Sequence, residues 1–120
     1  DIAEGNGVRV GAGPVLGTYT FHGRGTLNGL IPHPKLVDIV DKSAKDTKIS
    51  LQRHATIGLL TDASYVQLVG EGVACVDLAW PTRYTHSGVE SCSLKDLEDL
   101  RKLLISIVDN FPENENFQRG

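Results

Sequence analysis

The sequence predicts an α/β fold: a largely parallel sheet flanked by helices. Three observations predict it. β-rich runs alternate with helical periods in the order β–loop–α–β–α–β–loop–α, the pattern of strands covered by helices. Glycine and proline bound most of these runs. The last quarter carries a wide apolar stripe at helical spacing, formed by Leu97, Leu100, Leu104, Ile107, Val108 and Phe111.

Each element follows from its residues. The stretch from Asp1 to Gly7 is polar and glycine-rich and reads as a loop, and Val8-Arg9-Val10 is a candidate short strand. Gly13 to Thr20 reads as a strand from its valine, threonine and tyrosine content. The Gly11-x-Gly13 pair does not mark a nucleotide site, because β-formers rather than a helix follow it. Phe21 to His33 is a glycine-rich loop. Pro34 suits the first turn of a helix, with Leu36, Val37, Val40 and Ala44 on one face and an end near Asp46-Thr47. Ile49 to Ala55 alternates apolar and polar, the period of a half-buried strand. Thr61 or Asp62 can cap a short helix, Ala63 to Val69, which Gly70 and Gly72 stop. Val73 to Ala79 reads as a buried strand. Ser93 is a helix N-cap, with Asp96 as its capping-box-like partner.

The bulk numbers exclude several classes. A chain of 120 residues suits one domain. A net charge of −3 offers no electrostatic reason for nucleic acid or an anionic membrane as partner. No apolar run approaches the roughly 20 residues that span a bilayer. The acidic start lacks a signal-peptide pattern. Cys75 and Cys92 are too few for a disulfide framework, and Cys75 reads as a buried free thiol, so cytoplasm is the expected compartment. The chain starts without methionine, in mid-pattern, and reads as a piece of a longer protein with apolar surface left unburied.

Four histidines are available to a metal. His22, His33 and His54 read first as surface or packing residues. His86 stands apart: it lies in the polar loop Pro81-Thr82-Arg83-Tyr84-Thr85-His86-Ser87-Gly88-Val89-Glu90, just past a strand end, where ligands collect in α/β sheets. Asp62 reads first as a helix cap. Asp77 is either a buried, hydrogen-bonded carboxylate or an outward one. No G-x-S-x-G elbow, H-E-x-x-H motif or zinc-knuckle spacing occurs.

The ordered pieces Gly11-Ala12-Gly13-Pro14-Val15, Ile31-Pro32-His33-Pro34, Thr61-Asp62-Ala63, Gly70-Glu71-Gly72-Val73, Pro81 to Ser87, Glu90 and Leu94-Lys95-Asp96-Leu97 carry a resemblance. The sequence resembles the C-terminal third of the tetrahedral or glutamyl aminopeptidases, dinuclear metallopeptidases also labelled endoglucanase, cellulase M or frv-operon protein. The resemblance implies that residues 1–120 are the C-terminal segment of a catalytic domain whose N-terminal half and inserted β domain are absent here. It implies two divalent metal ions, zinc or cobalt, sharing a carboxylate and an activated water. It implies removal of N-terminal residues from peptides, with a glutamate base upstream. His86 matches the last metal ligand. Asp1 matches either a further metal ligand or a second aspartate that follows it. Thr61 and Asp62 match the substrate cleft. Two departures stand out: Gly58-Leu59-Leu60 replaces three glycines before T-D-A, and Gly88 stands where proline is common. The implied partners are a peptide, the rest of the same domain and further copies of the chain. Alone, the segment is expected to be inactive. The alternatives are a non-catalytic relative acting as an interaction module, and another hydrolase, such as a glycoside-directed one, on the same fold.

Overall fold

The computed structural model describes residues 7–23 and 25–118. In chain order the elements are β1 (Val15–Phe21), β2 (Gly29–Leu30), α1 (Pro34–Asp46), β3 (Gln52–Ile57), α2 (Ala63–Val66), β4 (Asp77–Ala79), β5 (Thr82–Arg83), β6 (Ser91–Cys92) and α3 (Leu94–Asp109). The fold is α/β, with a four-stranded sheet flanked by helices and a separate β5–β6 ribbon.

Strand β1 is the centre of the sheet. Its long pairing is parallel, to β3, in register from Val15↔Gln52 to Phe21↔Ile57 with an irregularity between Gly17 and Tyr19. Its other edge is shared by two short antiparallel strands, β2 at Thr20 and Phe21 and β4 at Val15 to Gly17. The sheet is therefore mixed, with parallel pairing confined to β1–β3. The predicted strand Val73 to Ala79 shrinks to β4 because its first half spends its backbone groups elsewhere. The Cys75 carbonyl accepts the His33 N–H at 3.0 Å, and the Val73 N–H closes the α2 turn on Gln67 O at 3.2 Å. Val8 to Val10 forms no strand either. The Gln52 side chain takes up both backbone groups of Arg9, accepting its N–H at 2.8 Å and donating to its carbonyl at 2.9 Å.

The two long helices form where their caps and periods place them. Pro34 opens α1, where a missing N–H leaves nothing unpaired, and His33 is the N-cap: its Nδ1 accepts the Lys35 N–H at 3.3 Å. Ser93 Oγ accepts the Asp96 N–H at 3.4 Å at the start of α3. Both helices pack on β1. Leu16 and Leu103 are fully buried with Val40 and Ala44 of α1, and Val37, Ile49, Leu51, Val76, Leu78 and Ile107 surround them. Burying one such side chain contributes about 1.5–3 kcal/mol. On α3 the buried line runs through Leu100 and Leu103. Leu104 and Val108, which the apolar stripe placed inward, are 45% and 73% exposed. Among the described residues, no helix is long and apolar enough to cross a membrane.

Candidate functional site

Loop 81–90 hangs between β5 and β6, whose pairs Thr82↔Cys92 and Arg83↔Ser91 pin its base. Inside it, two non-glycine residues, Tyr84 (φ 61°) and His86 (φ 64°), occupy the left-handed region. That conformation costs a residue with a side chain about 1–3 kcal/mol, and it persists only where neighbours enforce it. Here they do. The Ser87 N–H donates to the Tyr84 carbonyl at 3.1 Å, and Ser87 Oγ lies 2.5 Å from the same carbonyl. The backbone N–H of His86 donates to Glu90 Oε1 at 2.6 Å. The His86 side chain is exposed, and no hydrogen bond to a described residue ties its ring. The imidazole is therefore available to a ligand while its backbone is fixed.

The loop's position follows from strand direction. Because β4 runs against β1, its exit lies at the end of the sheet where β1 enters. Sequence reasoning placed His86 past the end of a core strand; in the structure that strand is β4, antiparallel to β1. The entry to β1 is held at the same end by Asp96. This carboxylate, fully buried, accepts the Gly11 N–H at 2.6 Å and the Gly13 N–H at 2.9 Å. It does not reach back as a capping-box partner, because the Gly11 and Gly13 N–H groups occupy both its oxygens. The connection was not visible in sequence, since the partners lie 85 and 83 residues apart.

Thr61 and Asp62 lie on the turn before α2. Asp62 holds the N-cap position but makes no side-chain capping bond. The Thr61 carbonyl accepts from Ser64 Oγ at 2.7 Å, while Thr61 Oγ1 donates to Asp77 Oδ2 at 2.8 Å. That settles Asp77 as a partly buried, hydrogen-bonded carboxylate at the start of β4. So the Thr61 turn and the His86 loop attach to opposite ends of one short strand. Leu59, in place of a glycine, is 40% exposed. Asp1 lies outside the described residues.

The other histidines read as packing or surface groups. His33 is 3% exposed and stacks edge-on against Phe117. His54 lies within 2.7 Å of Thr56 Oγ1, and burial lowers its pKa below the ordinary value. A cavity of about 540 Å³ opens beside His33, Gln67, Val73 and Phe117. It shares no lining residue with Thr61, Asp62 or His86, so the loop chemistry and not the cavity defines the candidate site. Among the described residues no three His, Cys, Asp or Glu side chains converge on a point. Both cysteines are free thiols.

Residues 2–103 match the model of the M42 glutamyl aminopeptidase family. The chain belongs to that family. It is 37% identical over 107 residues to SgcX of Escherichia coli (strain K12), covering 89% of this chain and 29% of that protein. The fold matches the TET aminopeptidase from the marine sediment archaeon Thaumarchaeota archaeon SCGC AB-539-E09 with a TM-score of 0.80 and 32% identity, over 88% of this chain and 28% of that one. It also matches the Pyrococcus horikoshii TET1 peptidase, with a TM-score of 0.65 and 31% identity over 85% and 28% of the two chains. The chain thus spans less than a third of the length of these relatives, which agrees with the resemblance read from its motifs.

Proposed function

We propose that the chain supplies one segment of the active site of a metal-dependent aminopeptidase, with His86 as a ligand to one of two divalent metal ions. The observation that carries the reading is the family match across residues 2–103, coupled to the exposed imidazole that loop 81–90 presents. His86 fits as a single donor. The rest of the ligand set would come from chain outside the described residues, Asp1 among the candidates, completing a catalytic domain of which residues 1–120 are the C-terminal part. When bound, zinc or cobalt ions would supply a polarising charge and an activated water for peptide hydrolysis.

The chain's own residues then do three things. His86 binds one metal through a ring nitrogen, Thr61 and Asp62 contact the peptide, and the Asp77 carboxylate orients the Thr61 hydroxyl. A homo-oligomer is the expected assembly, because the P. horikoshii relative can form a tetrahedron or a large octahedral shell. Cytoplasm is the expected compartment. A second reading, a non-catalytic interaction module, draws support from half-exposed Leu59 where a glycine would let substrate approach.

The test is metal content and Leu-p-nitroanilide hydrolysis of the full-length gene product beside His86→Ala. Bound metal and activity, both lost in the variant, are expected. Full activity in His86→Ala sinks the ligand assignment, and wild-type protein with neither metal nor activity favours the interaction module.

A further inference from the structure

We propose that Glu90 is the positioning residue of this site: it fixes the left-handed backbone of His86 and thereby the direction of the imidazole. The inference rests on His86 being a metal ligand. The geometry that carries it is local. His86 sits at φ 64°, a conformation its own β-carbon disfavours. One bond that holds it there comes from four residues downstream, where Glu90 Oε1 accepts the His86 N–H at 2.6 Å. A carboxylate is the strongest acceptor a side chain offers a backbone N–H. A second bond bears on the same residue: the Ser87 N–H donates to the Tyr84 carbonyl at 3.1 Å and closes a turn with His86 as its third residue. Ser87 closes on the carbonyls of Tyr84 and Val89, and Thr82 Oγ1 contacts Thr85 Oγ1. Among the described residues, none of these side-chain bonds touches His86 itself, whereas the Glu90 side chain does. Gly88 adds no restraint, having no side chain and open space around its Cβ position. Glu90 therefore supplies, beside the Ser87–Tyr84 turn bond, the conformational control that a proline at position 88 would share.

A ligand is useful only if its donor atom is aimed before the metal arrives, and groups that orient a ligand are worth about 10- to 100-fold in metal affinity. Most such groups hold the ring. Glu90 acts one step further back, on the peptide unit from which the ring projects.

The experiment uses the full-length gene product as wild type, Glu90→Ala, Glu90→Gln and His86→Ala. Zinc affinity is measured by calorimetry, and amide exchange over residues 84–90 by mass spectrometry on the metal-free protein. Glu90→Gln keeps an acceptor oxygen, so its affinity should stay within about threefold of wild type. Glu90→Ala should lose about 10- to 100-fold in affinity and exchange the loop amides at least about tenfold faster. Its metal-free melting temperature should stay near wild type, because every residue from Arg83 to Glu90 is exposed. Unchanged exchange in Glu90→Ala overturns the proposal. So does faster exchange with wild-type affinity, and so does an equal loss of affinity in Glu90→Gln with wild-type exchange, which would make charge rather than the backbone the cause. If His86→Ala binds zinc as wild type does, the ligand reading itself falls and takes the proposal with it.

Discussion

Replacing Asp96 by alanine removes a carboxylate that ties the entry of β1 to α3, and the cost can be worked from its contacts. Asp96 is fully buried and accepts two backbone N–H groups. Gly13 is itself buried, so its stranded donor costs about 2–3 kcal/mol. Gly11 is exposed and regains water in part, so its share is about 1 kcal/mol. Losing a negative charge in the first turn of α3 adds about 0.3–1 kcal/mol through the helix dipole. The total is about 3–5 kcal/mol. Asp96→Asn keeps one acceptor oxygen but turns an NH₂ toward the second N–H, and should cost about half as much. Urea unfolding of both variants beside wild type, at matched slope, reads these values. A loss under about 1 kcal/mol in Asp96→Ala would refute the claim that this carboxylate organises the sheet entry.

Two further outcomes follow from the same structure. Gly13→Ala should destabilise by at least about 2 kcal/mol in thermal unfolding, because φ is +104° there and an added Cβ would lie 2.0 Å from the Ser50 carbonyl oxygen; wild-type stability would show that this crossing can relax. In thiol labelling at pH 8, Cys92 should react at least about fivefold faster than Cys75. Cys92 is exposed, whereas partial burial, and then the nearby Asp77 charge, push the Cys75 thiol up, so less of it is thiolate at a given pH and its rate should keep climbing above pH 9; equal rates would refute the partial shielding of Cys75.

Much of the fold was legible because its signals are local. The Pro34 start, the Ser93 cap and the 3.6-residue periods place α1 and α3 within a residue or two. The His86 loop was legible too, as a polar stretch between an apolar run and a capped helix. What sequence missed lies in contacts between distant positions. Nothing near Asp96 announces that its oxygens face Gly11 and Gly13, and nothing near Gln52 announces that it answers Arg9. Strand direction was equally hidden. The Val73 to Ala79 run has the composition of a core strand, but its first half ties down loops, and only three residues reach β1, against its direction. The cap reading of Asp62 missed because the turn closes through Thr61 and Ser64 instead. The left-handed backbone of His86 carries no glycine to signal it.

The central place of β1 bears on how the chain is made. Its parallel partner, its second antiparallel partner and the carboxylate that holds its entry all come later in the sequence, the last 83 residues after Gly13. At about 5–20 residues per second, a ribosome delivers Asp96 about 4–17 s after Gly13. Through that interval β1 lacks the carboxylate that answers the two glycine N–H groups at its entry. The strand with the most partners in the finished sheet is therefore also one whose entry is secured last, by a residue of the final helix.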